Sequence, residues 1–268
     1  MFVAVLPAAE GRAGSEACLA CHEDQAHSLV HYGASPGVAD CESCHGPGQA
    51  HIDGSGDVTK IVNPAKLAPM QASKTCLACH GQTQMLHDWA AGRHENANLS
   101  CLSCHAVHNP AGKNAHLLAK PREMDVCFTC HKMQRVQTMS SSHMPLREDK
   151  MKCSDCHNPH GTTTNAMLNA PSVNDNCYTC HAEKRGPLLF EHPPVRENCI
   201  NCHDPHGSLH PNLLVANPPR LCQGCHIGTR HPSQPQTPSS RFVFNKSCVN
   251  CHPSIHGSSH PSGELLMR

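Results

Sequence analysis

Ten copies of one pattern, Cys-x-x-Cys-His, dominate this 268-residue chain and constrain its fold more than any other feature. In an α-helix the two Cys and the His of each copy lie at positions i, i+3 and i+4 and share one face. The pattern is the attachment signature of a c-type haem, in which the thiols bond to the porphyrin and the imidazole binds the iron. We therefore predict ten bound haem c groups.

All twenty cysteines belong to these motifs, and every motif ends in a His. Zinc ribbons would need the Cys pairs to combine into four-ligand sites, and neither they nor a disulfide framework require a His after every second Cys. The haem interpretation is therefore favoured over both alternatives. The predicted attachment residues are Cys18, Cys21, Cys41, Cys44, Cys76, Cys79, Cys101, Cys104, Cys127, Cys130, Cys153, Cys156, Cys177, Cys180, Cys199, Cys202, Cys222, Cys225, Cys248 and Cys251. The predicted proximal iron ligands are His22, His45, His80, His105, His131, His157, His181, His203, His226 and His252.

The motifs form five repeats of two, and each repeat has one extra His between its motifs and another soon after the second motif. Because recurring positions indicate a shared role, we predict that these histidines bind the distal face of the irons. They are His31, His51, His94, His108, His143, His160, His192, His206, His231 and His256. The irregular histidines are His27, His87, His116, His210 and His260, of which the first two are the nearest alternatives.

The repeats also suggest which His serves which haem. If each His after a second motif served the next repeat, the last one, His256, would have no haem to bind. We therefore hypothesise that the His after a second motif ligates the first haem of its own repeat. The His before a second motif would then ligate the second haem of that repeat.

The composition is poor in large apolar side chains, with five Phe, two Tyr and one Trp against 25 His, 22 Pro and 18 Gly. Such a chain cannot build an ordinary core, so the porphyrins are expected to supply the apolar surface and the apo-chain to be largely disordered. We predict a mostly irregular multihaem cytochrome c fold of short α-helices, with a short helix at each motif and little or no β-structure. A second short helix is expected around some pre-motif histidines, as at residues 24–32 and 82–94.

Residues 1–9 are an apolar run that ends in small residues, and we interpret them as the remnant of an export signal. Residues 10–268 are predicted to form one elongated decahaem domain, because repeat units chiefly contact their neighbours. The five dihaem repeats are 10–70, 71–120, 121–170, 171–215 and 216–268.

Charge and ligand count limit the functions that this chain can have. The 21 basic and 21 acidic residues balance, and haem propionates would make the holoprotein acidic, which argues against nucleic-acid binding. An iron with His on both faces has no position for a substrate or a gas. We therefore predict electron transfer and no enzymatic activity. The alternative from a different functional class is a multihaem oxidoreductase in which one iron has an open coordination position.

Several segments beyond the ligands are also distinctive, namely residues 41–48, 186–199, 201–208, 218–226 and 255–263. With them the chain resembles the MtrA/DmsE/PioA family of periplasmic decahaem cytochromes over nearly its whole length. The resemblance implies bis-histidine haems in an elongated wire of two pentahaem halves, which would divide near residue 140. It also implies that the wire is held in the periplasm and inserted into an outer-membrane β-barrel porin. It further implies periplasmic electron carriers on one side and an extracellular multihaem cytochrome or terminal reductase on the other. A free periplasmic shuttle or a filament-forming cytochrome stays as an alternative.

Overall fold

The computed structural model describes residues 11–28, 31, 39–108, 116–228, 231, 237–238 and 246–268. The export signal predicted at residues 1–9 lies outside these ranges. Within them, short helices alternate with turns and irregular segments, and no strand occurs; the only β-pairing described is a set of isolated bridges. The predicted fold class, with short helices in an otherwise irregular chain, is therefore confirmed.

Eleven α-helices occur in the described ranges, and all but one have seven residues or fewer. They are α1 (Ser15–Leu19), α2 (Glu23–Ser28), α3 (Cys41–His45), α4 (Gln49–Asp53), α5 (Pro69–His80), α6 (Arg93–Asn96), α7 (Glu123–Cys127), α8 (Lys132–Thr138), α9 (Val173–Tyr178), α10 (Pro193–Glu197) and α11 (Arg220–Gln223). Single 3-10 turns occur at Val58–Lys60, Pro64–Lys66, Gln84–Leu86, Trp89–Ala91, Cys101–Ser103, Cys153–Asp155, Ala182–Lys184, Cys199–Asn201, Pro211–Leu213 and Cys248–Asn250.

The helix predicted at each motif is present, and it takes two forms. The first motif of every repeat starts inside an α-helix, in α1, α5, α7, α9 and α11. The second motif starts a new helical piece at its first Cys, which is α3 in the first repeat and a 3-10 turn in the other four. Asp40 shows why α3 starts where it does, because its side chain accepts the Ser43 N–H at 2.7 Å as an N-cap.

The single helix predicted at residues 82–94 is wrong. The chain instead forms two separate 3-10 turns followed by α6. Gly92, with φ −69° and ψ 152°, adopts an extended conformation that ends the second turn before α6 begins. At residues 24–32 the described part is α2 together with His31, and the rest of that prediction lies outside the described residues.

Very little apolar surface is buried in the described part of the chain. The buried hydrophobic side chains are Ala72, Trp89, Met124 and Phe128, and polar side chains are buried in comparable number. Sixteen large hydrophobic residues in this part of the chain are exposed. This distribution matches a scaffold whose apolar surface is completed by cofactors. No helix in the described ranges is long and apolar enough to span a membrane.

The chain divides into two compact units. One unit consists of Met1–Val126 together with the short segment Pro159–Thr162, and it carries the first four motifs. The other consists of Cys127–Asn158 and Thr163–Arg268, and it carries the remaining six.

Candidate haem-binding sites

Each motif forms one closed helical turn. In eight motifs the His N–H donates to the carbonyl of the first Cys at 2.9–3.1 Å, and the other two motifs lie inside α3 and α5. This turn brings the two thiols and the imidazole to one face, as the spacing predicts. The chain therefore presents three attachment groups together at every motif.

The His of every second motif is oriented by the loop that follows it. Its Nδ1 lies 2.6–2.8 Å from a backbone carbonyl oxygen in the pairs His45–Val62, His105–His116, His157–Ala166, His203–Asn212 and His252–Leu265. An Nδ1–H that donates to a carbonyl leaves the lone pair on Nε2, which is the tautomer that a metal needs. Sequence reasoning missed these partners, because a carbonyl has no side-chain signature.

Backbone hydrogen bonds hold these loops against the motifs. Ala106 N–H donates to Leu117 O at 2.7 Å, and Ala119 N–H donates to Cys104 O at 2.9 Å. The same pair of bonds follows two further second motifs, those starting at Cys153 and Cys199. The orienting carbonyl is therefore fixed to the motif that it serves.

A polar side chain joins the two motifs within three of the repeats. It lies three residues before the first Cys and accepts the backbone N–H of the first Cys of the second motif. The pairs are Ser15–Cys41 at 3.3 Å, Ser73–Cys101 at 3.4 Å and Asn174–Cys199 at 2.8 Å. Ser73 and Asn174 are buried, so these bonds are protected from water. The recurrence of a small polar residue at this position is a sequence signal that could have identified the contact.

Seven motif histidines face another His at nearly constant spacing. The ring centroids are 6.0–6.3 Å apart in the pairs His31–His80, His45–His108, His105–His160, His157–His206, His192–His226, His203–His256 and His231–His252. An imidazole nitrogen binds a metal at about 2 Å and the ring centre lies about 1.1 Å beyond it, so two rings on one metal need about 6.2 Å. The spacing therefore fits a six-coordinate haem iron with one ring on each face.

Several of these histidines are also kept in the neutral state that binds iron. Burial, and in addition the facing ring, lowers the pKa of five histidines that follow or precede second motifs: His108, His160, His192, His206 and His256. A neutral imidazole offers its lone pair to a metal, whereas a protonated one does not. The residues present thus fit the cofactor in spacing and in protonation.

The hypothesis that the extra histidines of each repeat ligate the haems of the same repeat is wrong for six of the seven pairs. A His before a second motif faces the first motif of the next repeat, as His31 faces His80. A His after a second motif faces the second motif of the preceding repeat, as His206 faces His157. The hypothesis considered only whether the His after a second motif could bind a haem of the next repeat. This His instead lies on a turn that folds back towards the preceding repeat. The last pair in the chain stays within its own repeat, as predicted.

Three predicted distal ligands are outside these seven pairs. Each has its Nδ1 at 2.7–2.9 Å from a carbonyl oxygen, in the pairs His51–Asp57, His94–Pro159 and His143–Ser140. His143 also has its Nε2 3.2 Å from Glu148 Oε1, so in this structure that nitrogen faces a carboxylate. The ligand role of these three histidines stays a prediction.

The irregular histidines have other surroundings. The His87 side chain is 82% exposed and its Nδ1 lies 3.0 Å from Asp88 Oδ1. The carbonyl of His116 serves His105, while His210 and His260 belong to turns whose backbone N–H groups donate to serine hydroxyls. The side chain of His27 lies outside the described residues.

The cysteines and other potential ligands form no alternative centre in the described residues. None of the twenty cysteines forms a disulfide. No group of three or more His, Cys, Asp or Glu side chains in the described ranges is placed to hold a metal ion by itself.

Comparison with known proteins also places the chain among the multihaem c-type cytochromes. The family described as "Doubled CXXCH motif" matches residues 143–186 and 192–231, and the family "Cytochrome c-type protein NrfB-like" matches residues 41–123. The multiheme cytochrome MtrA of Shewanella baltica is 40% identical over 95% of this chain and 81% of its own length. The cytochrome c-type protein NrfB of Escherichia coli is 26% identical over 50% of this chain and 74% of its own length. The chain therefore belongs to the MtrA family of multihaem c-type cytochromes, in which haem c groups transfer electrons.

Proposed function

We propose that the chain holds ten haem c groups, one at each motif, and that an imidazole closes both faces of every iron. The seven ring pairs support this assignment directly for seven motifs. The other three motifs, which end in His22, His131 and His181, would take their distal ligands from His51, His94 and His143. When bound, haem c supplies an iron that changes between the ferric and ferrous states.

The function that this arrangement supports best is electron transfer through an outer membrane. We propose that the protein is the periplasmic and membrane-crossing conduit of a porin–cytochrome complex. The single observation that carries the proposal is the uniform closure of the ring pairs, since an iron with two imidazoles exchanges electrons without binding a substrate. On this basis we propose no enzymatic activity for the chain itself.

The positions of the thiols support a continuous path for electrons within each unit. Within repeats, the first Cys of one motif lies against the first Cys of the other, as in Cys76 with Cys101. Between repeats, the second Cys residues are neighbours: burial raises the pKa of the Cys44 thiol, and the nearby Cys79 thiol raises it further. The same alternation links the motifs that begin at Cys153, Cys177, Cys199, Cys222 and Cys248. Each porphyrin would thus be attached beside the next one in the chain.

The partners follow from the proposed location. We propose that an outer-membrane β-barrel porin surrounds the cytochrome where it crosses the membrane. The periplasmic end would receive or deliver electrons through periplasmic carriers. The other end would meet an extracellular multihaem cytochrome or a terminal reductase. Membership of the MtrA family supports this assignment.

Purification from native outer membranes tests the proposal. A co-purifying β-barrel protein is expected, and liposomes that contain both proteins should reduce an external acceptor from an internal dye, while liposomes with either protein alone should not. Recovery of the cytochrome in the free periplasmic fraction with no barrel would favour a shuttle or a filament instead. Carbon monoxide binding to the reduced wild-type protein would reveal an open iron and favour the oxidoreductase.

A further inference from the structure

A glycine follows three of the histidines that fold back onto the preceding repeat. These glycines have φ values of +118°, +135° and +120°, which L-residues rarely adopt. The positive φ lets the chain reverse immediately after the imidazole. The three dipeptides are His160-Gly161, His206-Gly207 and His256-Gly257.

Two of these glycines lie directly against backbone of the preceding repeat. A Cβ on Gly161 would lie 2.5 Å from the carbonyl oxygen of Asp88 and 3.2 Å from the Cα of Gly92. A Cβ on Gly207 would overlap the carbonyl oxygen of Gln137 and lie 2.7 Å from its carbonyl carbon. Backbone atoms cannot rotate out of the way as a side chain can. The close approach therefore depends on the absence of a side chain.

The third glycine meets a side chain as well as backbone. A Cβ on Gly257 would overlap Cδ1 of Leu188 and lie 3.1 Å from the carbonyl oxygen of Phe190. The leucine methyl group is the end of a flexible side chain, so it is the more easily displaced obstacle. A methyl group at this glycine should therefore disturb the turn less than one at Gly207.

Hydrogen bonds to the preceding repeat hold the turns at Gly207 and Gly257 in place. Ser208 N–H donates to Ser142 O at 2.7 Å and Ser142 N–H donates to Ser208 O at 3.0 Å. Ser258 and Phe190 exchange the same two bonds at 2.8 and 2.7 Å. Gln137 Nε2 adds a bond to Asp204 at 2.7 Å. The turn at Gly207 is thus bonded to the preceding repeat on both sides of the point where a Cβ would collide.

We propose that Gly161, Gly207 and Gly257 are positioning residues that set the distance between a distal imidazole and its iron. The inference rests on the distal ligands of the proposed function. The rings of His160, His206 and His256 lie 6.1–6.2 Å from their partner rings, a spacing with little tolerance for displacement. Moving the turn away from the preceding repeat would withdraw the imidazole and leave that iron five-coordinate.

The test compares Gly207→Ala with His206→Ala in the purified holoprotein. Haem content by pyridine haemochrome should stay at the wild-type value in both variants. Each reduced variant should bind carbon monoxide at one haem per molecule, and each oxidised variant should gain one high-spin haem signal. Gly228→Ala is the matched control, because its Cβ would meet no atom within 4 Å and its φ is not positive.

The possible outcomes distinguish a failure of the positioning role of the glycines from a failure of the proposed distal ligands. Carbon monoxide binding by His206→Ala but not by Gly207→Ala overturns the positioning role and leaves the ligand assignment intact. No carbon monoxide binding by either variant overturns the distal assignment of His206. Gly161→Ala repeats the test at an independent turn if Gly207→Ala fails to mature.

The third glycine gives a rescue experiment. Gly257→Ala should bind less carbon monoxide per molecule than Gly207→Ala. Adding Leu188→Ala should reduce that binding further, because it removes the nearest obstacle to the new methyl group. Equal binding with and without Leu188→Ala would contradict a steric mechanism at this turn.

Discussion

Glu42, inside the second motif, shows how much one buried carboxylate can organise. Its side chain is 2% exposed and accepts backbone N–H groups from Ala13, Gly14 and Gly48 at 2.8–3.0 Å, with Arg12 Nε at 3.4 Å. Burial opposes ionisation, but these N–H donors and the guanidinium outweigh it and lower the pKa of Glu42. The carboxylate thus joins the start of the described chain to α3 and the turn after it.

This carboxylate makes a pH-dependent contribution to stability. Because the folded pKa of Glu42 lies below the unfolded value of about 4.3, its contribution is present at neutral pH and is lost as pH falls through the folded pKa. We expect Glu42→Gln to lower the free energy of unfolding by about 2 kcal/mol at pH 7. The difference from wild type should shrink below about pH 4. Denaturant unfolding followed by Soret circular dichroism at several pH values measures it.

The control for this experiment is Glu16→Gln. Glu16 is an exposed residue in the first turn of α1, so its substitution should change the free energy of unfolding by less than about 0.5 kcal/mol. A destabilisation by Glu42→Gln that stays constant from pH 7 to pH 3 would show that the charge of Glu42 is not the cause.

At the residue scale the sequence predicted which side chains carry the chemistry but not what holds them. The Cys-x-x-Cys-His spacing identifies the predicted ligands, because one helical turn brings residues at this spacing to the same face. The buried amide of Asn174 also joins two motifs, and the sign of this in the sequence is the recurrence of Ser15 and Ser73 at the same position in other repeats. Its further bonds to the carbonyls of Val195 and Arg196 have no such sign in the sequence.

At the element scale, the ring pairs differ in their mutual orientation. The planes of His31 and His80 cross at 83°, whereas five other pairs lie within 12–21° of parallel. Parallel imidazole planes separate the energies of the two iron dπ orbitals, and perpendicular planes leave them nearly equal. The two kinds of pair should therefore give distinct electron paramagnetic resonance signals.

We expect the oxidised holoprotein to show rhombic low-spin signals together with a large-g signal. His31→Ala should remove one haem of intensity from the large-g signal, because it takes away the perpendicular ring. His206→Ala is the matched control and should remove rhombic intensity instead, since its ring lies 12° from that of His157. Undiminished large-g intensity in His31→Ala would contradict the pairing of His31 with His80.

The direction of pairing could not be obtained from the repeat pattern. A period places equivalent residues in neighbouring repeats, but it does not say whether a turn runs forward or backward across the boundary. Here the direction is set by the turn after each second motif, for example by the mutual backbone bonds of Ser142 and Ser208. Short helices, in contrast, follow from local spacing alone and were predictable.

For the molecule as a whole, the cofactors are expected to be a condition of folding. The described residues bury four hydrophobic side chains, too few to offset the conformational entropy of a chain of this length. We expect the chain produced without haem attachment to show little helical circular dichroism and no cooperative unfolding. The holoprotein of identical sequence is the control, and a cooperative transition in the haem-free chain would contradict the expectation.

The exchange of ligands between neighbouring repeats has a consequence for how such proteins can change in length. The fourth repeat turns one imidazole forward through His192 and one backward through His206, while in the fifth repeat His231 faces His252 of the same repeat. With the distal ligands proposed above, inserting or removing a whole interior repeat would leave each iron with two imidazoles, whereas inserting or removing half a repeat would leave one iron without its second imidazole. Lineages of this architecture should therefore grow or shrink two cofactors at a time.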